Sequence, residues 1–204
     1  AAAALQLPDG SWTPNGVSRP PMEDTLVTAT AMGARALTLY PVAGSKHQLE
    51  EKVRRAQHWL VAVDARSAED RAMKLMGLVW TKASQSDVEA AVRQILGQQR
   101  PGGGWPQRDG MAPDAYATGI SLYALHTAGI LPTDGAYLKG VRFLQQNQYQ
   151  DGSWLVKTRS YPTQPYFETG YPFGNNQFIS AGAASWSALA ITYTLPDAEP
   201  RAPR

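Results

Sequence analysis

The chain has 204 residues, 43% of them hydrophobic, with 19 Lys and Arg against 17 Asp and Glu for a formal charge of +2; it can bury a full core as one domain. It has no cysteine, which excludes disulfides, thiolate nucleophiles and cysteine zinc sites; His47, His58 and His126 share no metal-ligand spacing, and no metal or other cofactor is expected. Basic residues are scattered, with one small group at Lys52-Val53-Arg54-Arg55, and no apolar run approaches the ~18 residues of a membrane span, so neither nucleic acid nor a transmembrane segment is expected.

Residues 1–4, all alanine, lack the charged start and apolar centre of a signal peptide. The composition suits the periplasm as well as the cytoplasm, or a membrane-associated position held through a partner. From there apolar periodicity predicts helices throughout and no alternating strand, an all-α chain. Leu26, Gly33, Leu37 and Tyr40 mark a first helix over about 23–40, and Leu49, Val53, Ala56 and Leu60 a second. A third opens after Ser67 and carries Ala72, Leu75, Met76 and Val79. A fourth starts at a capping box, Ser86-Asp87-Val88-Glu89, and runs through Val92, Ile95 and Leu96. The fifth covers about 114–127, and the sixth, capped by Asp134, carries Tyr137, Val141 and Leu144. The seventh covers 179–194, with Trp186, Leu189 and Tyr193 on one face, and 196–204 reads as a Pro-rich tail.

One pattern punctuates this series three times. Gln148, Gly152 and Trp154 recur with the same spacing as Gln99, Gly103 and Trp105, and as Gln6, Gly10 and Trp12. A helix ends near the glutamine, the glycine supplies left-handed or tight-turn geometry, and the tryptophan covers the exposed helix end. The glutamine amide can bond orphan groups at helix termini while stacking on the indole. These nine residues are read as structural staples that tie one hairpin to the next. The hairpins fall at about 1–40, 45–82, 86–129 and 134–195, within one domain over 1–195. The second has degenerated: it keeps Trp59-Leu60 but not the Gln, Gly and Trp tail. Glu23-Asp24, Glu69-Asp70 and Asp114 open alternate helices at intervals of 44–46 residues.

In the last copy the pattern extends upstream through Lys139-Gly140-Val141-Arg142-Phe143-Leu144. The whole string resembles the QW motif of squalene-hopene cyclases and related triterpene cyclases. That resemblance implies an α/α-toroid of helical hairpins, here an incomplete ring of about seven to eight helices, to be completed by another protein segment or subunit. The stretch 161–180 also resembles one in bacterial squalene-cyclase-like proteins shorter than the full cyclases.

The resemblance also names the chemistry to look for. Triterpene cyclases protonate their substrate with an aspartic acid of an Asp-x-Asp-Asp motif, and this sequence has no such string. Protein prenyltransferases need a zinc-binding cysteine and complement-type thioester domains need Cys-Gly-Glu-Gln; both are missing. The expected function is therefore a squalene-cyclase-like helical-repeat module, a non-catalytic binding or scaffold domain of a larger assembly. The alternative is a terpenoid cyclase-type isomerase with Glu168 or Asp114 as general acid in an aromatic-lined cavity.

Asp114 stands at a helix start, where the plain role is an N-cap and the macrodipole favours the anion, as for Asp24 and Asp70. A carboxylate held as an anion is a poor acid unless burial reverses the shift. The connection between Trp154 and Ile179 is long and rich in proline and aromatics, as functional loops are. Glu168 lies in it, and Arg159, Tyr166, Phe167, Tyr171 and Gln177, with Tyr116, are the expected contacts for a partner or for an apolar or terpenoid small molecule. The loop is expected to rim the main concavity, with Glu168 facing it and Asp114 near its base.

Overall fold

A computed structural model describes residues 2–14, 16, 18–22, 25–41 and 46–196. Among these residues there are seven α-helices and no strand: α1 (Leu26–Leu39), α2 (Lys46–Ala62), α3 (Ala68–Trp80), α4 (Gln85–Leu96), α5 (Ala115–Thr127), α6 (Gly135–Gln146) and α7 (Gln177–Thr192). Short 3-10 turns at Ala2–Leu5 and Gly174–Asn176 precede the first staple and α7. No described helix is long and apolar enough to cross a membrane.

The helices form two layers. α1, α3, α5 and α7 pack side by side as an inner row, while α2 leans on α1 and α3, α4 on α3 and α5, and α6 on α5 and α7. Composition explains which helix goes where. α5 is small and apolar all round, with Ala115, Ala117, Gly119, Ile120, Leu122, Ala124 and Leu125 buried, and α3 is buried nearly all round too, with Glu69, Asp70 and Lys74 hydrogen-bonded inside. The outer helices are one-sided: α2 buries only Leu49, Ala56 and Leu60, and α6 only Tyr137, Gly140, Val141 and Leu144. A helix apolar on every side needs neighbours on every side, and one with a single apolar stripe belongs at the surface.

Most helix starts follow local chemistry. Asp114 caps α5 by accepting from Ala117 N at 2.9 Å, and Asp134 caps α6 through Ala136 N at 2.8 Å. Three expectations need correction. α4 is capped by Ser84, not Ser86: the Ser84 hydroxyl accepts from Asp87 N and donates to the Asp87 carboxylate, satisfying both groups two residues earlier. Asp70 is not an N-cap but the third residue of α3, where its carboxylate accepts from Ser67 N at 3.0 Å while Asp70 N donates to the Ser67 hydroxyl. Glu23-Asp24 and the tail from 197 lie outside the described residues. α7 begins at Gln177, two residues early, and only Trp186 and Tyr193 face α5, over Tyr123 at 5.0 and 6.3 Å; Leu189 is exposed.

All three staples form. Each glycine has positive φ, +98° at Gly10, +92° at Gly103 and +84° at Gly152. Each indole is buried and donates to the carbonyl ten residues back: Trp12 to Ala2 at 2.9 Å, Trp105 to Ile95 at 2.7 Å and Trp154 to Leu144 at 2.8 Å. Ile95 and Leu144 lie in the last turns of α4 and α6, where each carbonyl also accepts a backbone N–H, from Gln98 at 3.0 Å and from Asn147 at 3.2 Å, so the indole adds a second donor at the helix end. In the degenerate second hairpin a lysine replaces the staple. Lys74, buried in α3, donates to Val61 O at 3.0 Å and Val63 O at 2.8 Å and so closes the end of α2.

Candidate functional site

The inner helices run the same way, so their N-terminal ends share one side of the molecule, and polar side chains tie those ends together. Thr25 at the start of α1 donates to the Asp70 carboxylate at 2.6 Å, and Thr28 to Glu69 at 3.3 Å. From α5, the Tyr116 hydroxyl donates to the other Glu69 oxygen at 2.9 Å. Glu69 is buried, and sequence reading saw it only as one acid of a helix-start pair; the signal was the recurrence of such acids at every inner helix start.

The connection between Trp154 and α7 straps across this end. Arg159 Nε donates to Gln107 Oε1 at 2.6 Å, and Gln107 Nε2 donates to Asp114 Oδ2 at 2.8 Å. Ser160 donates to Pro20 O at 3.1 Å. Gln177, fully buried, anchors the strap to α7: its amide donates to Phe167 O at 2.8 Å and its carbonyl accepts from Thr169 N at 2.7 Å and from the Thr169 hydroxyl. The structure thus brings Arg159 to Asp114 through Gln107, a residue that sequence reading did not single out. It places Gln177 and Tyr116 inside the fold, each hydrogen-bonded to a protein partner.

Glu168 sits elsewhere. Residues 161–170 are exposed throughout, including Tyr166 and Phe167, and Tyr171 is half-buried. The Glu168 carboxylate accepts from the Tyr166 hydroxyl and from Gly170 N at 3.0 Å within its own loop. The hydrogen bond from Tyr166 holds its carboxyl below the usual range, so it stays anionic.

Asp114 is shifted the other way. Burial raises its pKa, outweighing the hydrogen bonds from Ala117 N and Gln107 that favour the anion. It lines a groove of about 410 Å³ between the start of α5, the end of α6 and the third staple, together with Phe143, Tyr149 and Trp154. Glu168 is not among the lining residues. Burial and the neighbouring Glu69 carboxylate push the Tyr116 phenol far above its ordinary range, which fixes it as a donor. Among the described residues no cluster of three or more His, Asp and Glu is placed to hold a metal.

The raised Asp114 pKa has a sign that can be tested. A carboxyl whose folded pKa exceeds its unfolded value, about 4, contributes its full stability below that pH and loses it as pH rises through the folded value. Asp114→Asn keeps an oxygen for Ala117 N and removes the titration. The stability of the variant relative to the parent should therefore improve as pH rises from below about 4. Denaturant midpoints across that range check this; parallel pH profiles would show that the carboxyl is not desolvated.

A family model described as the squalene-hopene cyclase C-terminal domain matches residues 63–194. That span runs from the end of α2 to just beyond α7 and includes the groove, the strap and the second and third staples. No curated protein matches the chain.

Proposed function

This chain belongs to the squalene-hopene cyclase C-terminal domain family, and on that premise we propose that residues 1–195 form a non-catalytic binding or scaffold module that packs against another protein segment or subunit completing the toroid. One observation carries this reading: among the described residues both end helices of the inner row, α1 and α7, carry exposed apolar side chains. On α1, Met32 and Leu39 are exposed beside Leu5, and on α7, Phe178 and Leu189 are exposed on one face. Apolar side chains gathered on an uncovered helix face mark a surface that a partner covers. The state of the acids supports the same reading. Glu69, Asp70 and Asp114 are occupied by hydrogen bonds within the fold, and Glu168 is an exposed anion.

A second reading, a terpenoid cyclase-type isomerase, has one observation in its favour. Asp114 is biased toward its protonated form and borders a groove with Phe143, Tyr149 and Trp154, rings suited to an apolar or terpenoid molecule and to a cation. Two measurements separate the readings. Sedimentation should show association that grows with concentration and weakens in Met32→Lys; a monomer at every concentration, with no partner, would remove the scaffold reading. Incubation with squalene should return it unchanged. A cyclised product that disappears in Asp114→Asn would establish the isomerase instead.

A further inference from the structure

The first two staples each grip the outer helix that follows. Gln6 Nε2 donates both to Gly10 O at 2.9 Å and to Lys52 O of α2 at 2.8 Å. Gln99 Nε2 repeats this, to Gly103 O at 2.8 Å and to Ala136 O of α6 at 2.8 Å. Three residues further along each outer helix, a second carbonyl presses on the staple glycine. A Cβ on Gly10 would collide with Arg55 O, and one on Gly103 with Lys139 O.

The next residue is small in both cases. Ala56 is fully buried in the same apolar cluster as Trp12, and a Cβ on Gly140 would stand 2.8 Å from the Trp105 ring. Three residues beyond comes an aromatic, Trp59 in the first case and Phe143 in the second, whose ring lies 2.8 Å from where a Cβ on Gly104 would be. Arg55-Ala56-Gln57-His58-Trp59 and Lys139-Gly140-Val141-Arg142-Phe143 are thus one docking pattern.

The third staple is folded in the same way, and Tyr149 in its turn packs on Phe173 at 5.2 Å, but among the described residues no outer helix meets its Gln148 or Gly152. Its Trp154 indole and left-handed Gly152 are in place, and Asp151 braces Ser153 N at 3.0 Å as Asp9 braces Ser11 N at 2.9 Å. Yet Gln148 is exposed where Gln6 and Gln99 are half-buried, and its amide donates to Gly152 O at 2.9 Å, with no second acceptor among the described residues. A Cβ on Gly152 would meet only that amide, at 3.9 Å.

We propose that Gln148, Gly152 and Trp154, with the exposed face of α7, are the seat for the outer helix of a further hairpin supplied by another protein segment. This deepens the scaffold reading and rests on it. The occupant carries a basic residue, then Ala or Gly, then an aromatic three positions later, with its backbone carbonyls toward Gln148 and Gly152. The aromatic is a tryptophan, as in the helix gripped by the first staple, whose Asp-Gly-Ser the third shares, whereas the second has Gly102-Gly103-Gly104.

The test is an NMR titration of the isotopically labelled full chain with a synthetic peptide of the α2 sequence, residues 46–62. Saturable shifts should centre on the Gln148 side-chain amide, Gly152 and the Trp154 indole. Affinity should fall about fivefold in Gln148→Ala, the loss of one hydrogen bond. It should vanish when the peptide carries Ala56→Leu, because the small residue under the indole is gone. Gln148 is exposed, so Gln148→Ala keeps the fold, and its unchanged spectrum verifies that. Shifts centred on the first staple, no saturable shift, or indifference to Gln148→Ala would each overturn the seat while leaving the scaffold reading to sedimentation. Cyclisation of squalene would overturn the scaffold reading and leave the seat to the titration.

Discussion

Replacing Trp105 with alanine should cost about 3–5 kcal/mol of stability, the range for truncating a buried large aromatic, and Trp154→Ala should fall in the same range. The two indoles are 1% and 3% exposed. Each does two things at once: it fills the space between an outer helix end and the inner row, and it donates to a carbonyl in the last turn of that helix. Alanine leaves a cavity and removes one of the two donors on that carbonyl, which keeps its backbone N–H from Gln98 or Asn147, so the cavity dominates the loss. Trp105 also packs against Gly140 of the next outer helix, so its loss should loosen α6 as well as α4. Equilibrium denaturation with an unchanged m-value is the measurement. A loss below about 1 kcal/mol for either variant would mean that the indole does not hold its helix end.

Gly119→Leu should separate α5 from α7 and cost at least the ~1–3 kcal/mol typical of overpacking. A Cβ at Gly119 would stand 2.8 Å from Ser187 N and from the Trp186 carbonyl carbon, which are backbone atoms of α7 that no rotamer change can move. The same contact carries a hydrogen bond from Ser187 to Ala115 O at 3.2 Å, which separation would break. Gly119→Ala is the sharper version of the experiment. Helix propensity alone predicts that it stabilises by about 1 kcal/mol, whereas the helix spacing predicts a loss. Thermal or denaturant unfolding that shows a gain would mean the two inner helices lie further apart than described here.

The helices, their order and the three staples were legible in the sequence because each is a local matter. Periodicity over a dozen residues selects a helix, and Gln, Gly and Trp within seven residues specify a turn and the cover of a helix end. The inner and outer layers were also readable in principle, since Ala115 to Leu125 is apolar all round and α6 is not. Even the miscounted start of α4 was a local error: two serines competed for one cap, and the one whose hydroxyl and whose partner Asp87 were both satisfied won.

What only the tertiary structure decided depends on which distant residues meet. Arg159 reaches Gln107 and Tyr116 reaches Glu69 across 52 and 47 residues, and no spacing rule encodes those pairs. Lys74 took over the task of a staple that the second hairpin had lost, although nothing in its own sequence neighbourhood marks it. The Asp114 position shows the limit most clearly. Its place at a helix start argues for a stabilised anion, but burial outweighs the hydrogen bonds it accepts there and raises the pKa. Gln148 stands at the same spacing from its glycine and tryptophan as Gln99 and Gln6, yet only they reach a following helix. A motif fixes the shape that a segment takes, because that shape is set by bonds within it; whether its donors find a partner is set by what packs alongside.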